Sequence, residues 1–208
     1  MNWAEVLGAV EAMYAQKRDE LNALDAALGD GDHGTALHTA FKEIAARAPE
    51  LAQARPAEIL KAAALTLMNR MGGSSGALYG TLFLRASVEV KDLDRLTGED
   101  MARMWEAGLE GVMQRGGAQV GDKTMVDALA PAVIAFRDSI SQGRPAAEAY
   151  EAAAAAARFG AVKTSELVAK HGRAKFVGQR ALGQIDAGAA STALLFEALR
   201  NYWREKGG

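Results

Sequence analysis

Apolar residues recur along this chain every third or fourth position, and almost never every second one. In the opening segment Val6, Val10, Met13, Leu21 and Leu24 share one face, with polar residues between them. That period is helical, and the β-branched alternation of a half-buried strand is nearly missing. The start and stop signals divide the pattern into about eight helices. Asn2-x-x-Glu5 is a capping box for the first, which runs to about Gly29. The second spans Gly34 to Ala48, where Pro49 stops it, and the third opens on Pro56 and runs to about Asn69. Gly72-Gly73-Ser74-Ser75-Gly76 breaks the pattern before a fourth helix, Ala77 to Glu89. Thr97-x-x-Asp100 caps a fifth that ends at Gly116-Gly117. Thr124-x-x-Asp127 caps a sixth, in which Pro131 predicts a kink or a later start. Pro145 opens an alanine-rich seventh, and Asp186 or Gly188 opens the last, which ends near Trp203.

The connections between these helices are mostly short, which favours antiparallel neighbours. The expected fold is all-α: one domain over residues 1–208, a closed up-and-down bundle or barrel. In that arrangement alternate connections share an end. The segments Gly29–Gly34, Gly72–Gly76, Gly116–Thr124 and Arg173–Gly188, all rich in glycine and small or charged residues, then form one rim. The plainer connections Pro49–Pro56, Val90–Thr97 and Gln142–Pro145 form the other. The Ala152–Ala157 tract reads as a packing face.

Composition narrows the function. Half of the 208 residues are hydrophobic, enough for one well-cored domain. The net charge of −2 creates no field for nucleic acid or an anionic membrane, so neither is an expected partner. Cysteine is absent, which excludes disulfides and thiolate metal sites. The N-terminus lacks the basic and apolar regions of a signal peptide, and a cytoplasmic location is expected.

The chemistry concentrates in Leu24-Asp25-Ala26-Ala27-Leu28-Gly29-Asp30-Gly31-Asp32-His33-Gly34. Asp and Gly are ordinary turn residues. Three carboxylates so close, however, repel one another unless something neutralises them. A hard divalent cation does so with oxygen ligands, and Mg²⁺ keeps further positions for water or phosphate. The serines of Gly72–Gly76 stand where open amides at a helix start favour anions. Asp186-Ala187-Gly188 has the same placement, but its carboxylate suits a ribose, a base or a cap position better than a phosphate. Lys123 and Arg173 are cations that either offset phosphate charge or remain solvated. His33 either supports the cluster or touches phosphate, while His38 and His171 read as structural. Gly121-Asp122-Lys123-Thr124 lacks the glycine spacing and preceding strand of a P-loop. The aspartate run lacks EF-hand spacing, and no Ser-His-Asp set or His-Glu-x-x-His zinc motif is present.

Leu24–Gly34, Gly72–Gly80, Gly121–Ala130 (GDKTMVDALA) and Gly172–Thr192 (GRAKFVGQRALGQIDAGAAST) together resemble the DhaL family, the ADP-binding L subunits of dihydroxyacetone kinase. The likeness covers nearly the whole chain. It implies an eight-helix barrel with ADP or ATP at one end. Asp25, Asp30 and Asp32 would hold two Mg²⁺ ions on the phosphates. His33, Gly34, Thr35 and Ala36 would lie against the nucleotide, as would Ser74 and Ser75, with Gly116 and Met125 on the adenine side. Arg173, the catalytic residue of this reading, would reach the phosphates or adenosine, and Asp186, Ala187 and Gly188 would close the pocket.

The resemblance also implies partners. A DhaM-type phosphohistidine protein of the phosphotransferase system would rephosphorylate the bound ADP, and a DhaK-type subunit would hold dihydroxyacetone through its own histidine. A transcriptional regulator and a second copy of this chain are further candidate partners. Two alternatives stand beside this reading: an ATP-dependent kinase of dihydroxyacetone or a related keto sugar with exchangeable nucleotide, and a non-catalytic nucleotide-dependent regulatory module.

Overall fold

The computed structural model describes residues 1–206 and contains eight α-helices. They are α1 (Trp3–Ala26), α2 (His33–Ala46), α3 (Pro56–Arg70), α4 (Gly73–Glu89), α5 (Gly98–Gly116), α6 (Val126–Ser141), α7 (Ala146–Lys163) and α8 (Ala187–Glu205). No strand occurs among the described residues. Each helix packs on the next, and α8 packs back on α1, which closes the ring. The expected all-α, up-and-down barrel is therefore present.

Local chemistry explains the boundaries. The Asn2 side chain accepts N–H bonds from Ala4 and Glu5. Its own amide donates to the Tyr202 hydroxyl at 2.8 Å, so only half of the expected capping box forms. At Thr97 the box is complete: Asp100 N–H donates to Thr97 Oγ1, and Thr97 N–H to Asp100 Oδ2. Asp186 caps α8 by accepting the Ala189 amide at 2.8 Å. α1 stops at Ala26 and α2 at Ala46, slightly before the predicted Gly29 and Ala48. The larger correction is at α4. It starts at Gly73, a full turn before Ala77, so the glycine-serine run is the first turn of the helix.

The core lies between helices that approach closely where glycine removes a side chain. A Cβ on Gly160 would stand 2.0 Å from the Asp127 carbonyl oxygen. That carbonyl belongs to the residue four before Pro131, which has no N–H to offer it. α6 runs unbroken through Pro131, without the later start the proline also allowed, and the carbonyl it leaves unpaired by helix geometry is the one Gly160 of α7 approaches. Ala153, Ala154 and Ala157 are buried on the same helix, as the packing reading requires. Aromatic pairs fill the wider spaces, among them Tyr14 with Phe41 at 5.0 Å and Phe136 with Tyr150 at 4.6 Å between ring centroids. Among the described residues no helix is long and apolar enough to cross a membrane.

Candidate functional site

A cavity of about 1070 Å³ opens at one end of the barrel. Its wall takes Asp30 from the α1–α2 turn, Ser74 from the start of α4, Gly116 from the end of α5, Met125 from the start of α6, Arg173 from the α7–α8 connection and Gly188 from α8. The four segments that helix counting assigned to one rim do converge there.

The α1–α2 turn builds the acidic cluster. Asp25 Oδ2 accepts the backbone N–H groups of Gly31 at 2.9 Å, Asp32 at 3.1 Å and His33 at 3.4 Å. Asp25 thereby caps α2 from the preceding helix, and Asp32, at the N-cap position itself, makes no side-chain cap bond. This division of labour leaves the Asp30 and Asp32 carboxylates exposed at the rim. Gly29 is required beside them, because a Cβ there would lie 2.5 Å from Asp25 Oδ1. One oxygen from each of Asp25, Asp30 and Asp32 fits within 4.8 Å of the others, a spacing that suits a divalent cation.

Charge is unevenly distributed in the cluster. Arg173 pairs with Asp30 and holds its carboxyl below the usual range. Burial, then the neighbouring Asp30 and Asp25 charges, push the Asp32 carboxyl up. A carboxylate raised by like charges is stabilised when a cation arrives.

Opposite the cluster, α4 presents its first turn. Gly72 has no side chain with which to cap, and Gly73 takes a φ of +63°. The amides of Gly73, Ser74 and Ser75 precede the first intrahelical donor, so they are open at the cavity wall. Gly76 then packs so closely that a Cβ would stand 2.2 Å from the Met71 carbonyl oxygen. Three open amides and the helix dipole make a seat for an anion beside a seat for a cation.

Behind the cluster lies a buried hydroxyl network. Ser191 Oγ donates to the Gly188 carbonyl at 3.0 Å. It stands 2.7 Å from the Tyr79 hydroxyl and 2.8 Å from His33 Nε2. Ser191 Oγ thus links the His33 ring and the Tyr79 hydroxyl to α8. Burial lowers the His33 pKa to about 4, so the ring is neutral at physiological pH. His33 therefore supports the floor of the site, its imidazole tied to α8.

Other expected residues divide clearly. Ala36, Ser74, Ser75, Gly116, Met125, Arg173, Asp186, Ala187 and Gly188 all reach the cavity. Gly34 and Thr35 do not line it. Gly34 sits against α1, where a Cβ would lie 2.1 Å from the Arg18 carbonyl oxygen. Thr35 exchanges hydrogen bonds with the Asn22 side chain at 2.8 and 3.0 Å on the outer surface. Their sequence neighbours enter the cavity, but successive helical residues face different ways. The Asp186 carboxyl, a cap, is pushed up to about 6 by burial.

Lys123 is neither solvated nor aimed at the cavity centre. It is 1% exposed, and its Nζ donates to the Thr164 and Gln184 carbonyls. Sequence reasoning also missed Asp122. Its carboxylate binds Lys170 Nζ at 2.6 Å and His171 Nε2 at 3.2 Å, and Lys170 foremost lowers its pKa to about 2. His171 consequently reaches the cavity wall. These contacts join residues far apart in sequence, and no local pattern encodes them.

The chain is similar to several known proteins. The DAK2 domain matches residues 27–201. The chain is 35% identical over 199 residues to the PEP-dependent dihydroxyacetone kinase ADP-binding subunit DhaL of Escherichia coli K12, covering 96% of this chain and 93% of that protein. It is 35% identical over 204 residues to the L-erythrulose 1-kinase of Mycolicibacterium smegmatis, covering 95% of this chain and 35% of that protein. The crystal structure of the dihydroxyacetone kinase from C. freundii in complex with AMP-PNP and Mg²⁺ superimposes with a TM-score of 0.74 at 32% identity. That alignment covers 95% of this chain and 33% of the longer one.

Proposed function

Because the chain belongs to the DAK2 domain family, we propose that it is the nucleotide-binding subunit of a dihydroxyacetone kinase. In this reading Asp25, Asp30 and Asp32 hold two Mg²⁺ ions, and the ions hold the diphosphate of ADP. The observation that carries it is the pairing of two opposite seats in one cavity: a carboxylate triad spaced for a cation and the uncapped first turn of α4.

Each residue then has a definable task. Asp25 shapes the turn through three amides while offering its second oxygen to the cluster. Asp30 and Asp32 supply the remaining carboxylates. The amides of Gly73, Ser74 and Ser75 take phosphate oxygens, and Arg173 neutralises charge at the mouth. Met125, Gly116 and Ala187 offer an apolar wall to adenine. The magnesium ions, when bound, neutralise the charge that builds on the phosphates during transfer. No side chain of this subunit needs to act as a nucleophile.

The phosphoryl donor in this reading is a DhaM-type phosphohistidine protein, and dihydroxyacetone is presented by a DhaK-type subunit. The matches to DhaL subunits of PEP- and PTS-dependent kinases support that assignment. An ATP-dependent kinase of a four-carbon keto sugar is the second reading, favoured by the matches to erythrulose kinases.

Native mass spectrometry of the purified protein tests the proposal. Co-purified ADP with two magnesium ions is expected. A protein that neither retains ADP nor binds it with added magnesium overturns the reading. Binding that exchanges freely with ATP, together with phosphorylation of erythrulose from ATP, favours the second.

A further inference from the structure

Lys123 is almost wholly buried in the turn just before α6. Its Nζ lies 2.6 Å from the Thr164 carbonyl oxygen and 2.5 Å from that of Gln184. These two carbonyls stand at the two ends of the connection between α7 and α8, so a single ammonium joins the neck of a long loop. Two more bonds cross the same neck: Gly183 N–H to the Ser165 carbonyl at 2.8 Å, and Asp186 N–H to Thr164 Oγ1 at 2.9 Å. Beyond the neck the loop has short 3₁₀ turns and a second tie at Lys170 and His171, both on Asp122, while Phe176 is 79% exposed. Arg173 sits on this loop and reaches back to Asp30.

A lysine placed for α6 alone would not take this form. Removing an ammonium from water is costly unless its partners are well placed. The Lys123 backbone has a φ of +59°, a region that non-glycine residues seldom adopt and that concentrates near functional sites. The α5–α6 turn already has its own fastening, since Asp127 accepts the Gly121 amide at 2.6 Å and the Thr124 amide at 2.8 Å. What an ammonium adds is several donors at one point, able to hold converging carbonyls together. With Nζ committed to Thr164 and Gln184, direct contact with a phosphate is not its role.

We propose that Lys123 is a positioning residue: it closes the neck of the 164–186 loop and thereby holds Arg173 at the mouth of the cavity, beside Asp30 and Asp32. This rests on the nucleotide reading above. With Nζ committed to the two carbonyls, Lys123 acts on ion and nucleotide through the loop, and chiefly through Arg173.

The test compares wild type with Lys123→Met, Arg173→Gln and the double variant. One readout is chymotryptic cleavage after Phe176, followed by mass spectrometry, which reports loop opening without any ligand. The other is the affinity for ADP in the presence of magnesium, by calorimetry. Lys123→Met is expected to speed cleavage at least about tenfold. It is expected to weaken ADP about as much as Arg173→Gln does, and the double variant should fall within about twofold of Arg173→Gln alone. Losses that multiply in the double variant overturn the proposal, as does unchanged cleavage in Lys123→Met. If the wild type binds no ADP, the nucleotide reading and the proposed action on it fail together, while the cleavage rates still report whether Lys123 holds the loop. Should Lys123→Met not fold, Lys123→Gln takes its place. If neither folds, Lys123 supports the whole core and the proposal is overturned.

Discussion

Arg173 and Asp30 meet across the mouth of the cavity, a guanidinium from the α7–α8 loop on a carboxylate from the α1–α2 turn. The same carboxylate belongs to the cation cluster. On the proposed reading the arginine and a cation would contend for Asp30 until a phosphate gave the arginine another partner. Arg173→Gln is expected to move two affinities in opposite directions. Mn²⁺ alone should bind more tightly, because its competitor is gone. ADP with magnesium should bind more weakly, because a charge-assisted contact is lost. Electron paramagnetic resonance titration of Mn²⁺ and calorimetry with ADP measure the two, and a parallel change in both would contradict the contention.

Ligand binding should stabilise the fold through the acidic cluster. At a magnesium–ADP concentration about 100 times its Kd, linkage gives roughly 2.7 kcal/mol. Thermal unfolding should show this increase for wild type and lose it in Asp32→Asn. The Asp32 side chain makes no cap bond, so the unliganded variant should fold normally. A ligand-induced shift that survives in Asp32→Asn removes Asp32 from the cluster's work.

The Asp186 carboxyl gives a pH dependence with a definite sign. Burial raises its pKa to about 6, above the 3.8 of the free side chain. Between those values the folded state holds more protons than the unfolded one, so this group's contribution to stability grows as pH falls from 6 towards 4. Above pH 6 the ionised carboxylate opposes folding by an amount on the order of 3 kcal/mol. Asp186→Asn keeps a capping side chain and drops the charge. It should be more stable than wild type at pH 7.5, with the gap closing near pH 4. Denaturant titrations across that range decide it, and a gap independent of pH would refute the assignment. The comparison isolates Asp186 from His33, whose lowered pKa bends the curve of both proteins the other way.

Gly34 should behave as a packing residue. A Cβ there meets the Arg18 backbone at 2.1 Å, and backbone cannot step aside as a flexible side chain would. Gly34→Ala is expected to cost at least the roughly 1–3 kcal/mol typical of overpacking. Thr35→Ala, by contrast, loses only surface bonds to Asn22 and should leave ADP affinity unchanged. Equilibrium unfolding and calorimetry measure these outcomes, and a large loss of affinity in Thr35→Ala would return that residue to the nucleotide.

The sequence disclosed what is local. Thr97 and Asp100 announced a helix start by spacing alone, and the barrel order followed from counting such starts. Asp25, Asp30 and Asp32 pointed to an acidic cluster because their repulsion is visible in one short run, and their oxygens do gather within 4.8 Å. The glycine-serine run misled by one turn, since glycine reads as a break even where a helix begins on it. Roles that depend on distant partners stayed hidden. Nothing near Lys123 in the chain reveals that Thr164 and Gln184 converge on it. Nothing near His33 reveals Ser191. Asp25 was visible as a member of the acidic cluster but not as the cap of the following helix, because that bond bridges two elements.

The amide of Asn2 rests on the hydroxyl of Tyr202, and Lys206 reaches Glu5 at 2.7 Å. α1 begins and α8 finishes on the face away from the cavity. An affinity tag or fluorescent reporter joined to this base would sit far from the cavity. Immobilising the molecule through the base would leave the cavity mouth directed outward, open to whatever is passed over the surface.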